Sequence, residues 1–171
     1  PPIPDPCGLL TAIPDSDSAT FPQLCRRFAT GVVIITTRHE DGTPAGMTAN
    51  SFTSVSLDPP LVSVSVDRDA DMHRAILSSS AFVLNILGHR QEGLSRRFAA
   101  PMPSRFDGIG VTESARGLPV LTGTLATIEC ERHADFPAGD HTIVIGRVVG
   151  GQVHDGRPLL YYRGGYQDLG P

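Results

Sequence analysis

Gly139-Asp140-His141 sets an imidazole directly after a carboxylate, at the start of an apolar, alternating stretch. A glycine–aspartate pair turns the chain, so the histidine enters the next strand at its edge, where both ring nitrogens can donate or accept hydrogen bonds. Asp140 could orient that imidazole, yet no serine stands in a nucleophile elbow to complete a hydrolytic triad. His133 precedes the same turn, with no cysteine or carboxylate cluster to close a metal shell. A purely structural edge histidine is the plain alternative. The second polar constellation is Thr48, Asn50 and Ser51, in the stretch GMTANSFTSVSLDPPL from Gly46 to Leu61. Three side chains there carry donors and acceptors, and Ala49 leaves the backbone exposed beside them. Alternation from Phe52 to Leu57 reads as a half-buried strand. A polar turn feeding such a strand can hold a flat polar ligand against a sheet, although an ordinary Ser/Thr-rich strand has the same composition.

Nucleotide-binding loops of the familiar kinds are missing. No G-x-G-x-x-G joins a strand to a helix, no G-x-x-x-x-G-K-[ST] occurs, and Gly108-Ile109-Gly110 has no third glycine. The net charge of -4, with 14 Lys+Arg among 171 residues, gives no footprint for nucleic acid. No apolar run approaches the ~20 residues of a membrane-spanning helix, and the Pro-rich, acidic start does not read as a secretion signal. Cys7, Cys25 and Cys130 are odd in number and lack a Cys-x-x-Cys spacing. They argue against a disulfide framework and for a reducing, cytoplasmic setting; Cys25 and Cys130, at apolar positions, are expected to be buried thiols.

These groups must be positioned by short elements. Residues 1–19 read as a flexible Pro-rich arm and residues 20–171 as one domain. Thr20 can cap a short helix with Pro22 in its first turn, placing Phe21, Leu24, Cys25 and Phe28 on one face, with Gly31 closing it. Val32 to Thr37 is a β-branched strand, and Asp41-Gly42 turns it back towards Gly46. LVSVSV after Pro60 and AFVLNIL (81–87) are strands, separated by a charged, weakly helical segment. Gln91 to Ala99 is a helix with Leu94 and Phe98 on one side. Gly123–Arg132, His141–Val153 and Leu159–Arg163 are further strands, with His133–Asp140 as a turn. So many strands with only two or three short helices predict a mainly β fold, an antiparallel barrel.

Four segments, GMTANSFTSVSLDPPL, AFVLNIL, AGDHTIVIGRV (138–148) and PLLYYRGGY (158–166), occur in this order. Together they resemble the flavin reductase family, the FMN-binding split barrels that supply reduced flavin to separate monooxygenases. The likeness covers roughly Phe21 to Tyr166. It implies an antiparallel split β-barrel and a homodimer with the cleft at its interface. It also implies an NAD(P)H:flavin oxidoreductase that passes hydride from NADH or NADPH to FMN or FAD.

Residue by residue, the resemblance assigns Thr48, Ala49, Asn50 and Ser51 to the isoalloxazine edge. Ser65, Val66 and Arg68 fall on the strand end running towards the ribityl phosphate. Asp67, Asp69 and Asp71 depart from the Ser/Thr that many members carry there, so Arg68, His73 and Arg74 would have to offset them. Asn85 is either a flavin-side amide or a satisfied core residue; Phe98 is either cofactor packing or plain core. Arg163 is placed near the flavin, with a surface ion pair as the alternative. Gly139, Asp140 and His141 match the nicotinamide pocket. No metal is implied. Two other readings stay open: a flavin-binding module without turnover, and an oxidase related to the pyridoxamine-phosphate oxidases, against which the acid-rich loop argues.

Overall fold

A computed structural model describes residues 20–169; the reading of residues 1–19 as an arm, Cys7 included, lies outside the described residues. The elements are α1 (Thr20–Cys25), β1 (Thr30–Gly31), β2 (Val33–Arg38), β3 (Pro44–Ala49), β4 (Thr53–Leu57) and β5 (Pro60–Asp67). They continue with α2 (Asp71–Ser78), β6 (Ala81–Ile86), a 3-10 turn at His89–Gln91, α3 (Glu92–Ala99), β7 (Val111–Glu113) and β8 (Pro119–Leu121). The last four are β9 (Ala126–Ala138), β10 (His141–Val153), β11 (Leu160–Tyr162) and β12 (Gly165–Gln167).

Seven strands form the main sheet in the order β3-β2-β6-β9-β10-β5-β4, with β1-β11-β12 and β7-β8 as smaller sheets. The ladders are antiparallel, as the turn chemistry predicts. The expected barrel is not closed. β3 and β4 are the two edges of the main sheet, and α2 packs near β2, β3 and β5.

The apolar run at Val32–Ile35 is buried on both faces, which is why it reads as continuous rather than alternating. Val33 and Ile35 join a cluster with Val64, Val66, Ile76 and Phe82. Val32 and Ile34 face the other way, towards Phe98, Leu121 and Leu159. Fully burying each such side chain contributes ~1.5–3 kcal/mol, so β2 is the spine that joins the two cores. β5 alternates as expected, with Val62, Val64 and Val66 buried between half-buried neighbours. β4 does not: Thr53, Ser54, Val55 and Leu57 are exposed, because this strand is an edge.

Three further expectations are corrected. β9 runs on to Ala138, so the segment beginning at His133 is strand and the turn shrinks to Gly139-Asp140. Arg163 is not in a strand but in the turn between β11 and β12. α1 ends at Cys25 rather than near Gly31, and Phe21, Leu24, Cys25 and Phe28 are all exposed. Cys130 is buried as expected, and desolvation, with Glu129 beside it, pushes its thiol up to about 12. Among the described residues no helix is long and apolar enough to cross a membrane.

Candidate functional site

The β2–β3 hairpin pairs Ile34 with Thr48 and Val33 with Ala49, so Thr48 and Ala49 end an edge strand. Alternate residues of such an edge direct N–H and C=O groups away from their neighbour strand. Thr48 donates its hydroxyl to the carbonyl of Ser95 on α3 at 2.7 Å. The buried Ser95 hydroxyl in turn pairs with the Tyr166 hydroxyl at 2.8 Å. One residue of α3 thereby holds both walls of a cleft of about 230 Å³, lined by Val32, Thr48, Ala49, Asn50, Ala99, Tyr161 and Tyr166. Tyr161 and Tyr166 meet edge to face, 5.4 Å between centroids. Asn50 is exposed at the rim, and its side-chain amide has no partner among the described residues.

Ser51 leads from this cleft to the second constellation. Its Oγ accepts the Ser65 N–H at 2.9 Å and donates to the Ser65 carbonyl at 3.1 Å. Two residues along β5, Asp67 pairs with His141, a step of ~7 Å along a strand. The Arg68 N–H donates to the Asp140 carbonyl at 3.0 Å and its Nη1 to the Gly139 carbonyl at 3.3 Å. Gly139 sits at φ +62°, the left-handed region that makes glycine the natural residue of this turn. Asp140 Oδ1 and His141 Nδ1 are 2.7 Å apart. That hydrogen bond first, and the imidazole's charge second, hold the Asp140 carboxyl below its ordinary value.

Thr48, Ala49 and Asn50 are therefore brought together, as are Arg68, Gly139, Asp140 and His141, and the Ser51–Ser65 pair joins the two groups. Four assigned residues are not part of either: Arg163 lies in the turn between β11 and β12, and the other three are buried. Asn85 is fully buried: its amide donates to the Ile34 carbonyl and Thr36 Oγ1, both at 3.0 Å, and accepts the Leu121 N–H at 2.9 Å. Both amide hydrogens and the carbonyl oxygen are thus engaged within the core. Phe98 is 1 % exposed and packs edge to face on Phe106. Val66 is 0 % exposed, with its backbone paired to Thr142. These are core positions, and an apolar strand read along one dimension does not separate cleft-facing from core-facing side chains.

The proposed phosphate end is also rearranged. Arg68 is held against the Gly139-Asp140 turn, and His73 Nε2 is 2.9 Å from Thr142 Oγ1. Arg74 instead lines a separate hollow of about 750 Å³ together with Asp69, Asp71 and Arg105. Arg105 donates to the carbonyls of Ala100 and Gly46 at 3.0 and 2.8 Å. Sequence reasoning passed over Arg105, Ser95, Tyr161 and Tyr166. A serine between Leu94 and Phe98 on the apolar side of α3 was the available signal for Ser95, since a buried hydroxyl there needs partners.

The cleft thus combines an open β-sheet edge, a rim amide and two tyrosine rings. The chain belongs to the flavin reductase family: the Flavin reductase like domain matches residues 25–170. It is 40% identical over 156 residues, 91% of this chain and 80% of the other, to the flavin-dependent monooxygenase reductase subunit HsaB of Rhodococcus jostii RHA1. It is 43% identical over 147 residues, 84% of this chain and 81% of the other, to an NADH-dependent flavin reductase of a Rhodococcus species. Among solved structures it resembles the NADH:FAD oxidoreductase SgcE6 of Streptomyces globisporus, in complex with NAD and FAD fragments. That likeness has a TM-score of 0.88 at 33% identity, covering 95% of this chain and 98% of that one.

Proposed function

We propose that this protein is an NAD(P)H:flavin oxidoreductase that reduces FMN or FAD and supplies the product to a separate monooxygenase. The observation that carries the reading is the cleft itself, with Thr48, Ala49 and Asn50 on one side and Tyr161 and Tyr166 on the other, joined through Ser95. Its chemistry fits an isoalloxazine. The tyrosines offer faces and edges to a planar ring, and the strand edge and Asn50 offer donors and acceptors to a polar rim. With the adjoining recess that shares Ala99, Tyr161 and Tyr166, the space enters the ~300–1,000 Å³ range of small-molecule sites.

The bound cofactors supply a hydride donor and a hydride acceptor, so the chain need only hold them in register. Ala49 and Asn50 hold the flavin edge, and Ser51 fixes their loop to β5. His141 serves the nicotinamide. With the Nδ1 proton directed at Asp140, a neutral imidazole keeps a lone pair on Nε2, an acceptor for a carboxamide N–H. Arg68 fastens the turn that carries it.

The exposed Phe21, Leu24 and Phe28 of α1 and the loop after it support a homodimer in which a second copy covers this face. The free thiols of Cys25 and Cys130 are in keeping with a reducing cytoplasm.

The test is turnover: FMN, NADH and the protein under air, following NADH absorbance. Flavin-dependent oxidation is expected; its absence would leave a binding module without turnover. His141→Ala should raise the KM for the nicotinamide nucleotide and change flavin affinity little. Equal loss for both would remove His141 from this role.

A further inference from the structure

The open edge of the main sheet is not bare along its whole length. At Gly46 the β3 carbonyl accepts Arg105 Nη1 at 2.8 Å, and Arg105 Nε donates to the Ala100 carbonyl at 3.0 Å. One guanidinium thereby joins a sheet edge to the C-terminal end of α3, where a cation also complements the helix dipole. Two residues further along β3, Thr48 donates its hydroxyl to the Ser95 carbonyl at 2.7 Å. The spacings match: two residues of strand, and the rise of a helix from Ser95 to Ala100, both cover ~7 Å. α3 therefore lies along β3 where a neighbouring strand would pair, pinned at two points.

Between the two pins there is no room for a side chain. A Cβ on Gly46 would stand 2.5 Å from Phe98 Cε1 and 3.1 Å from Phe106 Cζ. The loop that brings Arg105 is itself held by α3. Arg97 Nη2 donates to the Ser104 and Asp107 carbonyls, at 2.7 and 2.6 Å, on either side of Arg105. Arg97 Nε is buried there without a hydrogen-bond partner among the described residues, which costs stability and marks a loop held in one place. Gly46 and Thr48 share an orientation, because strand residues alternate with a period of two. With the Gly46 carbonyl turned outward to Arg105, the Thr48 N–H and C=O are directed outward too, and Thr48 lines the cleft.

We propose that Arg105 is a positioning residue for the flavin. By pinning the Gly46 carbonyl to the end of α3, it fixes where the outward main-chain groups of Thr48 meet the isoalloxazine rim. It acts through β3 and is not itself a catalytic residue. A guanidinium suits the task because its planar fork spans two carbonyls at once, which the single ammonium of a lysine does not do with the same geometry. This assignment rests on the flavin reading of the cleft.

Three variants of the full chain test it. Arg105→Met keeps an apolar stem and removes both donors, Arg105→Lys keeps the charge without the fork, and Arg105→Ala leaves space for a free guanidinium ion. FMN is titrated by its fluorescence, and steady-state rates are taken with FMN and NADH varied in turn. Arg105→Met should weaken FMN binding and raise the FMN KM about tenfold, the scale of one charged hydrogen bond. The kcat at saturating FMN and the KM for NADH should stay near their original values, and Arg105→Lys should fall between. Guanidinium chloride, far below denaturing concentrations, should restore FMN affinity to Arg105→Ala where potassium chloride at equal ionic strength does not. A merely structural arginine would lower the unfolding midpoint while the folded fraction kept its FMN affinity, or would raise both KM values together. Either result overturns the proposal. Should Arg105→Met not fold, Arg105→Lys with unchanged FMN affinity overturns it equally. FMN that fails to bind the unsubstituted protein overturns the flavin reading, and this assignment with it.

Discussion

Ser51 Oγ bonds both backbone groups of Ser65, accepting the N–H at 2.9 Å and donating to the carbonyl at 3.1 Å. The loop after edge strand β3 is thus fastened to β5 across a sheet whose two edges share no ladder. Ser51→Ala breaks both bonds at once. We expect a stability loss of ~1–2 kcal/mol in urea titration, from two hydrogen bonds of ordinary net worth. Flavin affinity should fall with it, because Asn50 is no longer held. Unchanged affinity in the folded protein would separate this fastening from the site.

Ser95→Ala and Tyr166→Phe remove the same hydroxyl pair from opposite sides. Each should weaken flavin binding about fivefold, the scale of one neutral hydrogen bond of ~1 kcal/mol. The double variant should be no worse than either alone, since one shared hydrogen bond can be broken only once. Additive effects would show that the two hydroxyls act separately.

Asn85 belongs to the core, and its substitution should show as reduced stability. Asn85→Ala strands the Leu121 N–H without an acceptor, at ~1–3 kcal/mol for a buried unsatisfied donor. Denaturant unfolding should detect this, with flavin titration of the still-folded fraction giving nearly the original affinity. A selective weakening of flavin binding at unchanged stability would return Asn85 to the cofactor.

Asp140 predicts a pH limit. Its carboxyl lies below the ordinary 3.8 because His141 bonds it. The folded state thus holds this proton less firmly than the unfolded chain. The pair's contribution is complete above 3.8 and disappears as pH falls through the lower folded value. Asp140→Asn should raise the KM for the nicotinamide nucleotide at neutral pH. In the unsubstituted protein the same loss of the carboxylate waits for strongly acidic conditions. Steady-state kinetics of both forms across the acid range check this; identical profiles would detach Asp140 from the nucleotide.

Much of this was legible in the residues. Alternation over LVSVSV and His141–Val153 marked two strands whose pairing puts Asp67 opposite His141. The end of β9 was not legible, because Phe136-Pro137-Ala138 looks like a turn. Past Glu131 the strand runs beyond its β6 neighbour and pairs only with β10, and a proline is tolerated on such an edge. The apolar spacing from Phe21 to Phe28 suggested one helix face, but the helix stops at Cys25, before Phe28. A pattern states which residues share a face and not what covers them, so their exposure came only with the structure. Openness of the sheet was hidden for a similar reason: strand periodicity carries no information on whether the first and last edges meet. Asn85 and Phe98 were placed in the right elements, and only three dimensions separated core from cleft.

One wall of the cleft depends on a meeting between distant parts of the chain, since β1 pairs with β11 through Thr30 and Tyr161. Bringing such remote segments together carries a closure entropy that grows with the intervening length, and non-local pairings of this kind form slowly. The tyrosine wall is accordingly the least local part of the cleft, in contrast to the β2–β3 and β9–β10 hairpins. Without the segment that carries Tyr161 and Tyr166, the Thr48–Asn50 edge would have no facing wall.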